Sequence, residues 1–243
     1  IYNCERGTIT KLLKRHKVEL FAQKKKWIKF PNYTSPKFCR WFGYFLSEGC
    51  VNHMNKRAYK FSFSNLDKKI QKDYKKICKI LFNIYPSIYN NIDIVFTSKD
   101  FKLFLEKIGL EFPLSCGNKR IPRLFYKCKE EEIIEFFNGY IDGDGYIDKW
   151  GIFSIKIKNK NLAKDIQFLL LILGVVGFLK NTKNKIRIRN KYFYRTYSQL
   201  FVSGEDARIL GKKLNLISKL KRNRLKYFLQ KKINQGTSNW DTI

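Results

Sequence analysis

The sequence predicts an α+β protein built by duplication, and three observations carry that reading. Two apolar runs end in the same way: Gly43 is followed after four residues by Glu48-Gly49, and Gly139 after four residues by Asp144-Gly145. Behind each run the same order of helical and alternating segments recurs. The tripeptides Phe96-Thr97-Ser98 and Phe201-Val202-Ser203 then close the strands of both copies.

Residues 1–35 form a basic N-terminal extension in which Ile9 to Arg15 has the spacing of a short amphipathic helix. It reads as a solvated basic helix or as one helix of a helix-turn-helix. Pro31 and Pro36 punctuate the chain before the first unit, 36–122. Its first element is the apolar helix ending at Glu48, with Gly49 as a stop that can take the left-handed conformation. A turn around Asn55-Lys56 leads into Tyr59 to Ser64, whose alternation makes a strand with one aromatic and one polar face. Asp67 to Phe82 has helical spacing, ending near Asn83. Ser87 to Tyr89 and Asp93 to Thr97 read as strands joined by an Asn90-Asn91 turn. Ser98 caps a helix that Gly109 ends.

The link Glu111 to Pro122 leads to the second unit, 123–230. Here the apolar helix runs to Asp144, a hairpin turns at Lys149-Trp150-Gly151, and Phe153 to Lys158 alternates. A helix from Leu162 to Leu173 stops at Gly174. Longer strands cover 178–189 and 192–202, and Ser203 caps a last helix. Residues 231–243 are a polar tail.

A glycine inside a helix costs roughly 1 kcal/mol against alanine, so Gly43 and Gly139 imply a close backbone approach. Two such helices would pack on each other and bring both acids together at helix C-termini, where the macrodipole disfavours an anion. A divalent cation between Glu48 and Asp144 would offset that charge and suit phosphodiester hydrolysis. Asp-Gly alone is also an ordinary turn signal. An EF-hand loop from Asp142 fails, because Tyr146, Ile147 and Phe153 stand where it needs an oxygen ligand, glycine and glutamate.

The paired motifs, Trp41 to Gly49 and Phe137 to Gly145, resemble the signature of the LAGLIDADG homing endonucleases in their single-chain, two-motif form. The interval between the acids, 144 − 48 = 96 residues, suits one half of that family. The resemblance covers about residue 36 to about residue 230. It implies two pseudo-symmetric αββαββα repeats, motif helices at the repeat interface, and saddle-shaped antiparallel sheets over double-stranded DNA. It further implies Mg²⁺, or Mn²⁺, at the acids. The departure is Glu48, a longer arm than Asp144, which the family tolerates. The family also places a basic residue near each centre: Lys119 in Lys119-Arg120-Ile121-Pro122 matches its lysine-isoleucine-proline block, and Lys221 is the duplicate partner. Glu48 and Asp144 are therefore expected as metal ligands and catalytic acids, with oxygens near Ser47 and Gly143 as neighbours and Lys119 and Lys221 as catalytic lysines that polarise the water network or stabilise charge on the phosphate. Asp142 should point elsewhere, and Asp148 should lie on the strand after the motif.

The formal net charge is +30, from 50 basic and 20 acidic residues, which seeks a polyanion. With 44% apolar and 16% aromatic residues the chain is a folded body, not a basic tail. The expected DNA-contacting residues are Lys60, Ser62 and Ser64 on the first polar strand face, Lys156 and Lys158 on its counterpart, and Lys180, Lys183, Lys185, Arg187, Arg189 and Arg195 on the long hairpin. A solvated, charge-protected edge strand is the alternative for that hairpin.

Six cysteines without Cys-x-x-Cys pairing argue against zinc; Cys39, Cys50 and Cys78 read as core thiols of a reducing compartment. No run spans a bilayer and no signal peptide is present, so a soluble intracellular monomer is expected. Ile1 and the Asn239 to Ile243 ending lack intein splicing residues, and the missing initiator methionine points to a processed or trimmed product. The functions in view are a site-specific double-strand DNA endonuclease, an RNA-binding intron maturase with intron RNA as partner, and a non-cleaving DNA-binding regulator.

Overall fold

The computed structural model describes residues 28–55, 58–188 and 191–231. The helix expected at 9–15, Lys56 of the first turn, Arg189 and the tail beyond 231 lie outside them. The first repeat runs α1 (Pro36–Glu48), β1 (Gly49–Asn55), β2 (Ala58–Ser64), α2 (Lys68–Phe82), β3 (Ser87–Tyr89), β4 (Asp93–Thr97) and α3 (Lys99–Lys107). After a 3-10 turn (Arg123–Lys127), the second runs α4 (Glu130–Gly143), β5 (Tyr146–Ile147), β6 (Phe153–Ile157), α5 (Lys160–Ile172), β7 (Phe178–Ile188), β8 (Lys191–Val202) and α6 (Gly204–Lys213). Each repeat is αββαββα. A further helix, α7 (Lys219–Gln230), follows; the sequence reading had not foreseen it.

Both sheets are four-stranded and antiparallel, with matching orders β1-β2-β4-β3 and β5-β6-β8-β7. Asn90 and Asn91 both have positive φ, the mirror-image turn that twist-matched hairpins need. Ser98 accepts from the Phe101 amide and caps α3, whereas Ser203 occupies the matching position of α6 without a side-chain cap bond. The expected identity of caps is therefore only positional.

The motif helices α1 and α4 pack on each other at the centre. Ser35 caps α1 and Pro36 opens it, and its rings, Trp41, Phe42, Tyr44 and Phe45, are buried. Phe42 stacks on Phe125, 4.5 Å between centroids, and Phe125 meets Phe136 edge-on, so the aromatic core runs across the junction. Each such ring contributes roughly 2–3 kcal/mol by burial. Gly49 and Gly145 do not take the left-handed conformation expected of them: Gly49 is extended at φ −74°, ψ 141°. They are glycines because the chain doubles back on its helix, leaving a Cβ on Gly49 2.3 Å from the Phe45 carbonyl oxygen and one on Gly145 2.7 Å from Ile141 Cα. Cys39 and Cys78 are buried, but Cys50 is exposed, because on β1 it faces away from the core. Among the described residues no helix is long and apolar enough to cross a membrane.

Candidate active site

The ends of α1 and α4 touch. A Cβ on Gly143 would stand 2.1 Å from Ser47 Oγ and 3.3 Å from Glu48 Cγ, so the motif helices deliver their last residues side by side. Glu48 is half-buried at the end of α1 and Asp144 caps α4. Burial, reinforced by the charge of Asp144, pushes the Glu48 carboxyl up to about 7, against the pull of Lys221 and Lys119. Asp144 is exposed at its surface, yet the protein around the helix ends still desolvates its carboxyl and raises it, with Lys119 and Lys221 opposing. Two acids share one field.

Both lysines sit at these helix ends. Buried Lys119 donates from Nζ to the carbonyl oxygens of Leu46 (2.8 Å), Gly49 (2.7 Å) and Phe45 (3.4 Å). Lys221 donates to those of Ile141 (2.7 Å), Asp142 (2.9 Å) and Gly143 (3.0 Å). Shifting by 96 residues turns Phe45 and Leu46 into Ile141 and Asp142, so the two ammonium groups share two equivalent helix-end carbonyls and differ in the third, Gly49 against Gly143. Burial lowers both lysines' pKa, while the neighbouring acids work to raise it. The sequence reading put these lysines near the acids but gave them no bond to the helix ends.

Asp142 points away from the acid pair. Its buried carboxylate accepts from the Ile217 and Ser218 amides, at 2.8 and 3.0 Å, and meets Arg40 at 3.4 Å. Asp148 lies one residue past β5, not on it, and accepts from the Trp150 and Ile152 amides to hold the turn. Gly151 in that turn has φ +85°, with the Phe228 ring of α7 where a Cβ would be. Residues outside the sequence reading complete the surroundings: Arg40, Asn159, Asp165, and Arg224, whose guanidinium reaches the Ile147 carbonyl. Asn159 was legible only as a helix cap, and its second bond depends on the fold.

Residues 35–109 and 131–215 match the LAGLIDADG-like domain, once in each repeat. The chain belongs to the LAGLIDADG family. It is similar to the homing endonuclease I-DmoI solved with DNA and calcium, with 16% identity and a TM-score of 0.51 over 74% of this chain and 88% of that one. Mesophilic I-DmoI variants give 17% and 0.50. In sequence it is 29% identical over 163 residues to the replication factor C small subunit of Methanocaldococcus jannaschii, covering 65% of this chain and 8% of that protein. It is 23% identical over 210 residues to glutamine–fructose-6-phosphate aminotransferase of the same organism, covering 84% and 18%. The chain thus spans a small part of the relatives it matches.

The LAGLIDADG helix ends offer an all-oxygen donor set, which suits hard divalent ions such as Mg²⁺ or Mn²⁺. Among the described residues no group of three or more His, Cys, Asp or Glu forms; the acid pair and nearby backbone oxygens are the donors that would hold an ion at the helix ends. That is the sparse ligation Mg²⁺ accepts when waters and phosphates complete its shell.

The outward sheet faces of the LAGLIDADG repeats differ. In the first, Lys60 lies between Asn52 and Thr97 with its ammonium over the Tyr89 ring, Ser62 between Cys50 and Val95, and the Ser64 hydroxyl donates to Asp93. In the second, Lys156 and Lys180 flank Gln199 in one cross-strand row. Strand alternation puts Arg195 on that same face and Lys183, Lys185 and Arg187 on the opposite one. There Lys183 and Lys185 lie over Tyr194 and Tyr192. Lys158, just past β6, reaches the Cys116 thiol. The expected contact set is therefore divided between two faces, with Arg189 outside the described residues.

Proposed function

We propose that this LAGLIDADG chain is a divalent-metal-dependent endonuclease that cuts both strands of a long, asymmetric duplex DNA site, acting as a monomer. The observation that carries the reading is the contact between two acid-tipped helix ends in a chain of net charge +30. Glu48 and Asp144 are the metal-binding catalytic acids, with oxygens of Ser47 and Gly143 alongside. An Mg²⁺ or Mn²⁺ ion held there supplies Lewis acidity and neutralises phosphate charge.

The chain's own groups do the rest. Lys119 and Lys221 neutralise the helix ends and add positive charge beside the scissile phosphates. Lys60, Ser62, Ser64, Lys156, Lys158, Lys180 and Arg195 contact backbone and bases, and Lys183, Lys185 and Arg187 meet flanking phosphates from the opposite face of the ribbon. The relatives support a detachable module: a replication factor C small subunit and a glutamine–fructose-6-phosphate aminotransferase carry unlike names yet match this segment over 8% and 18% of their lengths. What is common to them is therefore the segment and not the host activity.

The test is Glu48→Gln and Asp144→Asn, assayed on a duplex that the parent selects from a randomised library. Each variant should lose cleavage and keep binding, because charge goes while shape stays. Parental cutting by either variant in Mg²⁺ would overturn the assignment.

A further inference from the structure

Each active-centre lysine is placed by a strap, and the two straps are anchored differently. The strap that leads into α7, on whose first turn Lys221 sits, hangs from its own repeat: the Asn215 amide donates to Asn138 at 2.7 Å, and Ile217 and Ser218 donate to Asp142. The strap carrying Lys119 hangs from the other repeat. Asn159 donates from Nδ2 to the Lys119 carbonyl oxygen at 2.7 Å, and Asp165 accepts from the Ile121 amide at 3.1 Å. Asp165 also takes Arg120 in a two-point pair at 2.6 and 2.9 Å. Both anchors are buried, 8% and 6% exposed.

The duplication shows what was adapted. A shift of 92 residues turns Asp67 into Asn159 and Asp73 into Asp165. Asp67 caps α2 by accepting from the Lys69 amide, and Asn159 caps α5 by accepting from Asn161 and Leu162. An aspartate caps a helix as well as asparagine does, but it has no N–H to donate. Asparagine at 159 therefore does a second job that a cap alone does not require.

We propose that Asn159 and Asp165 are positioning residues through which the second repeat sets the placement of Lys119 at the first repeat's centre. The direct strap bonds run one way, since the strap before Lys221 meets the first repeat through the Asp142–Arg40 pair at 3.4 Å and not by its own backbone, so loosening them should separate the two strand cuts. This rests on the nuclease reading above. Asn159→Asp isolates it, since the cap survives while a donor to the Lys119 carbonyl becomes a repelling acceptor; Asp165→Asn is a second variant, which keeps an acceptor for Ile121 and removes the charge opposite Arg120.

Three readouts decide. In Asn159→Asp the chain should stay folded with a melting temperature lowered by about 3–10 °C, the cost of a buried carboxylate that has lost its donor. Acetylation of Lys119, followed by mass spectrometry without DNA or metal, should rise about tenfold as its protection is lost. On the selected duplex with Mg²⁺, one strand should be cut about ten- to hundredfold more slowly, so that nicked product accumulates. Equal slowing of both strands, or unchanged Lys119 acetylation, would overturn the proposal. A parent that cuts neither strand would sink the nuclease reading instead, and the acetylation measurement would still decide the anchoring.

Discussion

Gly43 and Gly139 cross at the centre of the molecule so closely that neither admits a side chain. A Cβ on Gly43 would lie 2.2 Å from the Phe136 carbonyl oxygen, and one on Gly139 2.1 Å from that of Arg40. Backbone oxygens cannot swing aside as a side chain can, so Gly43→Ala must push α1 and α4 apart. The expected cost is roughly 1–3 kcal/mol, at the high end because the clash is with backbone. Gly117→Ala, whose Cβ would meet only Ser115 Oγ at 3.6 Å, is the control and should cost little. Urea unfolding measures both, and equal midpoints would refute the close crossing.

This crossing was legible in the sequence, because a glycine in a helix is costly and two at matched positions in matched apolar runs need a common cause. The acid pair was legible with it, since helix length alone carries Glu48 and Asp144 to the same end. The bonds of Lys119 and Lys221 to helix-end carbonyls were not, because nothing local in Lys119-Arg120 or Lys219-Leu220-Lys221 says where a flexible four-carbon arm ends. Arg40 was hidden for a similar reason: its partners are 33, 95 and 102 residues away. α7 was missed because its buried residues are few, Leu225 and Phe228, and Phe228 packs on the distant turn at Gly151.

The raised carboxyl of Glu48 sets a pH dependence. In the folded chain it titrates near 7, above the ordinary value of 4.5, so the folded state binds this proton more tightly than the unfolded state. Above pH 7 the folded, metal-free chain bears the cost of the buried charge; as pH falls from 7 toward 4.5 that cost is relieved. Asp144, also raised, adds in the same direction. Metal-free melting temperature should therefore climb as pH drops through this window, and more gently in Glu48→Gln. The divalent ion proposed at Glu48 would compete with the same proton, so Mg²⁺ affinity is expected to weaken by about tenfold per pH unit below 7. Calorimetry in buffers of different ionisation heat reads the proton released.

Salt tests the basic face. Lys156 and Lys180 flank Gln199 in one outward row of the second sheet. Each lysine that neutralises a phosphate contributes about one unit to the slope of log affinity against log salt. Lys156→Ala and Lys180→Ala should each lower that slope by about 1, roughly alike on selected and unrelated duplexes. Lys183→Ala and Lys185→Ala report on the opposite ribbon face. Unchanged slopes for the first pair would take the sheet surface off the DNA.

Arg40 joins the repeats by charge. Its guanidinium, 11% exposed, meets Asp73 at 2.9 Å, Glu135 at 2.8 Å and the fully buried Asp142 at 3.4 Å. Removing one member of a buried ionic cluster leaves the others uncompensated, so Arg40→Met should cost about 3–5 kcal/mol. The loss should depend on pH with a definite sign. Burial already raises the Asp142 carboxyl, and Arg40 holds it down. Without Arg40 that carboxyl rises further above its unfolded value, so the variant's deficit should shrink as pH falls and Asp142 takes up a proton. Asp142→Asn in the same chain should recover part of the loss by removing the charge, although its two backbone donors then share one acceptor oxygen. A double-mutant cycle over Arg40 and Asp142 should give a coupling of roughly 1 kcal/mol or more. Additive losses would mean that Arg40 acts through Asp73 and Glu135 alone, leaving the strap before Lys221 without a tie to the first repeat.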